Sequence, residues 1–301
     1  RLVVWTMDLW PEIAEAVGTI RADGCLSRVL RVVARWLYGR ADAIVALGPT
    51  MAERLRGLGV PAEKLVTVHN WVPAEAVRPL PLGGDYVGGR VRLDGEFVVM
   101  YSGNMGMAHE FDTILAAAEL LKSDDSVLFL FVGHGKRRPE VMREAQRRRL
   151  SNVRFLEPEP LGRLSELLAS ARVHLVSMQE GMEGYLVPSK VYGTMAAGRP
   201  AIMVGSVRNE VAQLLADSGS GFAVKTGRAH ELAALIRWLH EQPDLARRMG
   251  QAGRRYYERH LGRERSVPRI IGALTGREAP ASAQSPEDRQ PSRQAIHVGG
   301  A

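Results

Sequence analysis

The sequence predicts an α/β protein with parallel sheets, because short apolar strands alternate with helical segments along most of its 301 residues. Three such strands lie in the first quarter of the chain, and six more follow a segment rich in proline and glycine. The hydrophobic content of 46% is enough to bury a sizeable core. We therefore expect two α/β units joined by a linker.

The first unit is predicted to cover residues 1–75. It opens with an apolar strand over residues 2–7, and a helix over about residues 27–38 follows, with Ser27 as the expected N-cap. A second strand, AIVAL, precedes a helix in which Thr50 stands three residues before Glu53, the spacing of a capping box. The third strand is KLVTVHNWV. Because the chain starts with Arg1 and enters a strand at once, we expect an earlier part of this unit to precede it.

The rest of the chain divides into a linker, a second unit and a tail. Residues 76–95 are the predicted linker, since prolines and glycines interrupt any helical period there. The second unit covers residues 96–275, where six strands and their helices form a complete doubly wound sheet. Residues 276–301 are rich in Pro, Ser, Gln and Ala and poor in large apolar side chains, which predicts a disordered tail.

Composition narrows the classes of function. The formal net charge of +7 suits an anionic partner such as a nucleotide diphosphate, but the basic residues are scattered and aromatic residues are few, which disfavours nucleic-acid binding. Cys25 is the only cysteine in the sequence, so an intrachain disulfide and a cysteine-based zinc site are excluded. No apolar run reaches the roughly 18 residues of a spanning helix. We therefore expect a cytoplasmic protein.

Two glycine-containing turns follow buried strands of the second unit. Gly103 and Asn104 lie in YSGNMG, and Gly133 and Gly135 lie in FVGHGK. In open parallel sheets, ligands bind at the carboxyl ends of the strands, where backbone N–H groups and helix dipoles favour anions. Either turn could approach a phosphate closely, or could simply be a tight connection from strand to helix. Neither matches a complete dinucleotide fingerprint or a P-loop.

The stretch EGYLVPSKVYGTMAAGRPAI is the most informative part of the sequence. Pro188 and Ser189 precede a helix over about residues 190–197, so the Lys190 ammonium and the helix N-terminus would converge on one anion. Glu183, in the loop before that helix, can accept hydrogen bonds from sugar hydroxyls. This pair suits cleavage of a sugar–phosphate bond, because the departing diphosphate needs its charge stabilised. The alternative is an exposed helix lysine and a solvated loop glutamate.

These segments together resemble the donor domain of retaining GT-B glycosyltransferases of family 4, group 1. The segments VGHG, NVRFL, ELLASARVHLV and MAAGRPAI follow the family's order, and MDLWPE, YSGNMG and PSKVYGTMAAGRP are similar to the subgroup of colanic-acid and O-antigen transferases. The resemblance runs from residue 2 to about residue 266. It implies a GT-B fold of two Rossmann-like domains, with the first incomplete in this chain.

The resemblance also implies an activity. The enzyme would move a sugar, with retention, from a nucleotide diphosphate-sugar, with UDP as the expected nucleotide, to a lipid-linked saccharide or other saccharide acceptor in cell-envelope polysaccharide biosynthesis. By resemblance, Glu183 faces the donor sugar, Lys190 and the turn at Gly103 and Asn104 face the diphosphate, and backbone near Glu157 meets the base.

The sequence departs from the wider family at two places. Many relatives have a second glutamate that binds the ribose, and Gly193 stands at that place here. Many also have an Arg and a Lys after the first strand of the donor domain, where this chain has Asn104 and His109. Lys190 is therefore expected to supply more of the positive charge that faces the diphosphate.

Asp8 is the catalytic candidate of the first unit. It follows the first strand, where many family members have a His-Asp pair, although Met7 replaces the histidine. Asp8 could orient or deprotonate the acceptor hydroxyl, or it could be an ordinary helix cap. Glu12 and His69 are predicted to be mainly structural.

No Asp-x-Asp motif occurs in the sequence, so we expect an enzyme that needs no metal and no cofactor besides its donor substrate. Two alternatives remain open. The first is a nucleotide-sugar 2-epimerase of the same architecture, for which Asp8 and Glu183 are the main candidate cleft acids. The second is an inactive fragment that binds nucleotide.

The segment SRVLRVVARWLYGRAD combines arginines with apolar side chains. Arg28, Arg31 and Arg35 alternate with Val, Leu and Trp residues, a pattern that could lie on an anionic membrane surface. Such a helix could equally pack its apolar face on the sheet. Membrane contact would make the protein peripheral on the inner face of the cytoplasmic membrane.

Overall fold

The structure is a computed structural model that describes residues 1–73, 76–81, 93 and 95–277. It contains two parallel sheets, one of three strands in the order β1-β2-β3 and one of six in the order β6-β5-β4-β7-β8-β9. The α/β class and the parallel sheets are therefore confirmed. Most of the predicted linker and nearly all of the predicted tail lie outside the described residues, and the predicted unit boundaries stay predictions.

The first unit is a three-stranded sheet with helices between its strands. In the register of the sheet, Val4 lies opposite Ile44, and Ile44 lies opposite Leu65. The middle strand is buried along its whole length, as expected for a strand with neighbours on both sides. The elements are β1 (Val3–Trp5), α1 (Glu12–Ala16), α2 (Cys25–Arg40), β2 (Ala43–Ala46), α3 (Pro49–Gly57) and β3 (Leu65–Thr67).

The second unit is the doubly wound sheet that the sequence predicts. Its central strands β4 and β5 are almost entirely apolar and buried, and β4 pairs with both β5 and β7. The strands are β4 (Phe97–Ser102), β5 (Val127–Val132), β6 (Val153–Leu156), β7 (Val173–Ser177), β8 (Ala201–Val204) and β9 (Gly221–Val224). The helices are α4 (Asp112–Leu120), α5 (Arg138–Arg147), α6 (Leu164–Ala169), α7 (Lys190–Ala196), α8 (Glu210–Ser218), α9 (Ala229–Glu241), α10 (Pro243–Tyr256) and α11 (Arg263–Thr275).

The two units share one hydrophobic core. A single cluster of buried side chains includes Ile44 and Leu55 from the first unit and Val176, Met195 and Leu215 from the second. The opposite face of the larger sheet is covered by a separate cluster centred on β4 and β5. The shared core places the carboxyl ends of both sheets against each other, so the facing loops form an interdomain cleft.

Helix α11 returns from the second sheet to the first. After α10, a π-helical turn over Tyr257–Leu261 leads into α11, where Ala273 joins a buried cluster with Val45 of β2. The Ser266 hydroxyl donates a hydrogen bond to the His69 carbonyl over 3.1 Å. The sequence did not predict this helix. No helix in the described ranges is both long and apolar enough to cross a bilayer.

The predicted N-cap of α2 is wrong. The helix begins one turn earlier, after Gly24, and Ser27 is buried within it. The Ser27 hydroxyl donates to the carboxylate of Glu15, which also accepts from Arg31. The Ser27 hydroxyl, which was expected to cap α2, is therefore hydrogen-bonded to a carboxylate of the preceding helix.

The predicted capping box of α3 is also wrong. Gly48 is the N-cap residue and Pro49 occupies the first helical position, so Thr50 lies inside the first turn. The backbone N–H of Thr50 donates to Oε2 of Glu210, 3.2 Å away in the second unit. A buried carboxylate from the other unit thus caps this helix, which a local sequence pattern cannot show.

Candidate functional site

The two glycine turns of the second unit lie against each other at the carboxyl ends of β4 and β5. Gly133 has a φ of +138°, and a Cβ at that position would overlap the carbonyl oxygen of Gly103. The Met105 N–H donates to the His134 carbonyl over 2.6 Å. A side chain at Gly135 would lie 2.5 Å from Oδ1 of Asn104. The turns therefore form a close-packed backbone surface in which glycine is required at Gly133.

Lys190 lies beneath this surface. Its Nζ is 3.6 Å from the centroid of the Tyr101 ring, and a Cβ on Gly103 would lie 3.4 Å from its Cε. Part of the lysine side chain is exposed, but the Nζ atom is buried and has no hydrogen-bond partner among the described residues. Burial lowers the pKa of Lys190 well below its ordinary value.

A buried ammonium without a hydrogen-bond partner is energetically unfavourable unless an anion approaches it. The ring face of Tyr101 compensates part of this cost through a cation–π contact. The buried Nζ therefore suits the binding of an anion at this edge of the sheet. Of the predicted phosphate-facing residues, Gly103 lies against Lys190, Gly133 lies against Gly103, and Gly135 lies against Asn104. Their binding role stays a prediction.

His109 and Arg137, which lie nearby, do not supply an equivalent charge. The His109 ring nitrogen Nδ1 lies 2.6 Å from the Ser177 carbonyl oxygen, and burial together with the Lys190 charge lowers its pKa to about 3. His109 is thus neutral at pH 7. Arg137 donates to the His109 carbonyl over 2.6 Å and pairs with Glu140, so its guanidinium is engaged in local structure.

Helix α7 contributes less than the sequence suggested. It begins at Lys190, as predicted, but spans only seven residues, and the Ser189 side chain makes no capping hydrogen bond. So short a helix has a small dipole, and the local positive charge therefore comes chiefly from the lysine. Pro188 is buried just before the helix. At Gly193 a Cβ would touch Leu168 and Val72, at 3.6 and 3.8 Å.

Residues of the first unit contact the Glu183 loop of the second unit. Its backbone carbonyl at Glu183 accepts a hydrogen bond from Nε of Arg54 over 2.9 Å. The Tyr185 carbonyl accepts from the Leu9 N–H over 2.8 Å, and Asp8 forms an isolated antiparallel bridge with Leu186. The structure therefore places Asp8 beside the loop that bears Glu183.

Asp8 keeps the properties of a candidate base. The residue retains solvent exposure, yet partial desolvation raises the pKa of its carboxyl above the ordinary value. It stands between two sheets rather than at a helix start, because α1 begins only at Glu12. Asp8 lies beside the Glu183 loop through its bridge to Leu186, and its role stays a prediction.

A cleft of about 940 Å³ opens beside the Glu183 loop. Lys190 does not line this cleft, so the sugar-facing and phosphate-facing candidates occupy different sides of the loop. Its lining includes Thr50, Glu53 and Arg54 from α3, Glu180, Glu183 and Tyr185 from the loop, and Arg208 and Lys225 beyond β8 and β9. Another cavity, of about 860 Å³, lies at the amino ends of the strands near Phe97 and Arg172, on the opposite edge of the sheet.

Glu157 lies just past the end of β6 and forms an ion pair with Arg138 over 2.7 Å. Its side chain is largely exposed, and the base contact expected of its backbone stays a prediction. Arg138 and Arg137 both make ion pairs here, so the basic run before α5 is neither a free phosphate clamp nor a fully solvated face.

Comparison with known proteins identifies the family. A profile of the glycosyl transferases group 1 family matches residues 90–256, more than half of the chain, and a glycosyl transferase 4-like domain matches residues 2–71. The chain belongs to the group 1 glycosyltransferases. The matched ranges contain both the Lys190 edge and the Asp8 strand.

Relatives of this glycosyltransferase include two curated bacterial proteins. A probable glycosyltransferase WbjE of Pseudomonas aeruginosa is 29% identical over 78% of this chain and 58% of its own length. The putative colanic acid biosynthesis glycosyl transferase WcaI of Escherichia coli K12 is 26% identical over 78% and 57%. The chain therefore spans a little more than half the length of these relatives.

Solved structures support the GT-B fold. HepE from Anabaena, solved in complex with UDP-glucose, superposes with a TM-score of 0.74 at 16% identity, covering 92% of this chain and 72% of HepE. WaaG, a glycosyltransferase involved in lipopolysaccharide biosynthesis, superposes with a TM-score of 0.68 over 91% of this chain and 74% of its own. At these identities the likeness establishes the fold alone.

Sequence reasoning missed several residues that shape this site. Arg54, Tyr101 and Tyr185 contact the Lys190 and Glu183 segments, and Glu210 links α8 to α3. Tyr101 and Tyr185 lie in the YSGNMG and EGYLVPSKVYG segments, but their contacts, like those of Arg54 and Glu210, are with residues distant in the sequence.

Proposed function

We propose that this group 1 glycosyltransferase transfers a sugar, with retention, from a UDP-sugar to a saccharide acceptor in cell-envelope polysaccharide assembly. The observation that supports this most directly is the buried Lys190 ammonium, which lacks a hydrogen-bond partner and lies against the turns at Gly103 and Gly133. A diphosphate leaving group at that edge would accept hydrogen bonds from the lysine and from backbone N–H groups of the turns.

The reaction breaks the bond between the glycosyl carbon and the diphosphate oxygen and forms a bond from that carbon to the acceptor hydroxyl oxygen. The developing negative charge falls on the diphosphate, where Lys190 stabilises it. Glu183 accepts hydrogen bonds from the donor sugar, and Asp8, beside the same loop, orients or deprotonates the acceptor hydroxyl. No step requires a bound metal, because the lysine supplies the charge.

Nucleotide release from UDP-, GDP- and ADP-sugars, with and without acceptor, tests the proposal. We expect release from a UDP-sugar to increase with acceptor and to persist in EDTA. Proton NMR of the product at the first turnovers is expected to show the anomeric configuration of the donor. Unchanged release in Lys190→Met, relative to the exposed control Lys122→Met, would contradict the assigned role of the lysine.

The exposed face of α2 supports a lipid-linked acceptor. Val32 and Trp36 are 67% and 59% exposed, so the helix does not pack all its apolar residues on the sheet. Further exposed apolar side chains on this helix are Leu26, Val29 and Val33. The helix carries four arginines and no acidic residue, which favours anionic lipid headgroups.

Co-sedimentation with vesicles tests this second part of the proposal. We expect binding to phosphatidylglycerol vesicles, weaker binding to phosphatidylcholine vesicles, and loss of binding in Val32→Glu. Equal binding by Val32→Glu would exclude α2 as the contact. The exposed position Arg154, on the other unit, gives the control Arg154→Gln, which should bind like the wild type.

A further inference from the structure

The loop that bears Glu183 is held by contacts from the first unit as well as by hydrogen bonds within its own unit. Two sets of contacts from the first unit hold it, one from Arg54 and one from the bridge between Asp8 and Leu186, to which the Leu9 hydrogen bond belongs. The Arg54 side chain reaches its backbone, the Leu9 N–H donates to the Tyr185 carbonyl over 2.8 Å, and Asp8 bridges to Leu186. Every one of these partners belongs to the unit on the other side of the cleft.

Arg54 makes the most extensive of these contacts. Its Nε donates to the Glu183 carbonyl over 2.9 Å, and its Nη1 donates to the Tyr185 hydroxyl over 3.3 Å. Its guanidinium carbon lies 4.4 Å from the centroid of the Tyr185 ring, within the range of a cation–π contact. One side chain thus fixes both the backbone that carries Glu183 and the aromatic residue two positions further on.

Gly184, between these two residues, is fitted to the same helix. It has a φ of +76°, and a Cβ there would lie 2.6 Å from Cγ of Arg54 and 2.8 Å from the Thr50 carbonyl oxygen. The loop backbone therefore touches α3 directly, with no space for a side chain. The close approach leaves the loop little freedom while Arg54 stays in place.

We infer that Arg54 is a positioning residue that holds the Glu183 loop, and with it the Glu183 carboxylate, in place across the boundary between the two units. The guanidinium holds the loop so that Glu183 lies at the cleft that Arg54 also lines. The inference rests on the proposed role of Glu183 in sugar binding, and it adds a residue outside the second unit to that role.

Amide hydrogen exchange of the full chain, without any ligand, tests the positioning directly. In Arg54→Met we expect the amides of residues 182–187 to exchange at least tenfold faster than in the wild type. Arg54→Lys should give an intermediate rate, because a lysine keeps the charge near Tyr185 but lacks the Nε donor. The control is Arg56→Met, an exposed position on the same helix, which should leave exchange in the loop unchanged. Equal exchange in Arg54→Met and wild type would overturn the inference.

Kinetics then separate positioning from a merely structural role. We expect Arg54→Met to lower kcat for transfer by 10- to 100-fold while UDP affinity, measured by calorimetry, changes less than twofold, because the Lys190 edge lies within the second unit. A parallel loss of UDP affinity would overturn the inference in favour of general destabilisation. If the wild type neither binds UDP nor turns over a UDP-sugar, the proposed function fails, and the exchange experiment alone still decides whether Arg54 holds the loop.

Discussion

Replacement of Lys190 by methionine should change nucleotide binding and apo stability in opposite directions. Methionine has a similar length and keeps the apolar stem in place, but it removes the buried ammonium. A charge-assisted hydrogen bond contributes about 1.5–3 kcal/mol, so the dissociation constant for UDP should rise about 10- to 150-fold. Isothermal calorimetry of the full chain with UDP measures this change.

Without nucleotide, the same substitution should not destabilise the protein. The ammonium has no hydrogen-bond partner in the described residues, and its contact with Tyr101 contributes only about 0.5–2 kcal/mol. A methionine thioether in its place has a small desolvation cost and also makes a favourable contact with the Tyr101 ring. We expect the free energy of unfolding in urea, without ligand, to increase by about 1 kcal/mol.

With saturating UDP, the wild type should become more stable than Lys190→Met. The wild type gains about 2.7 kcal/mol at a ligand concentration one hundred times its dissociation constant, whereas Lys190→Met gains less at the same concentration. The exposed Lys122→Met is the matched control and should follow the wild type in both conditions. UDP affinity within twofold of the wild type in Lys190→Met would refute the anion site, and a loss of apo stability would refute the view that the ammonium is unpaired.

Three further predictions concern the turns, the interdomain contact and pH. Gly133→Ala should lower the free energy of unfolding by about 2–4 kcal/mol, whereas Gly39→Ala, in open space on α2, should raise it by about 0.5–1 kcal/mol. If urea denaturation ranks the two variants in the other order, the packing of the turns is contradicted. A side chain at Gly48 would overlap the Glu210 carboxylate, so Gly48→Ala should lower the free energy of unfolding by about 1–3 kcal/mol in the wild type and by much less in a Glu210→Ala background. Additive effects of the two substitutions in a double-mutant cycle would contradict this contact. Burial lowers the pKa of Lys190 in the free protein, and a bound diphosphate would raise it again, so UDP affinity should be constant below the pKa of the free protein and fall as pH rises from there to the pKa of the UDP complex. Calorimetry in buffers of different ionisation enthalpy should detect proton uptake when UDP binds. Absence of proton uptake over about pH 6 to 10 would count against the role of the lysine.

The second sheet and its glycine turns could be predicted because their signals are local. Continuous apolar runs specify buried parallel strands, and glycine at strand ends marks backbone that must come close to other backbone. Both glycine turns follow their strands as expected, and Lys190 begins its helix at the expected residue. These features depend on residues within a few positions of one another or on the regular geometry of the sheet. The contact between Gly103 and Gly133 was not predicted.

The features that the sequence did not reveal all depend on distant partners. Thr50 looked like the start of a capping box, but Glu210 satisfies the helix end from another unit. Ser27 looked like a cap, but Glu15 takes its hydroxyl. Arg54 has no local signal, because its partners lie about 130 residues away and are chosen by how the two units pack. Local propensity cannot anticipate a contact of this kind.

The two halves of the candidate site therefore depend on different parts of the molecule. The surroundings of Lys190 come from the second unit alone, since Tyr101 and Gly103 belong to the same sheet. The Glu183 loop depends on Arg54 and Leu9 of the first unit. Substitution of Arg54 should therefore disturb the Glu183 loop and leave the surroundings of Lys190 unchanged.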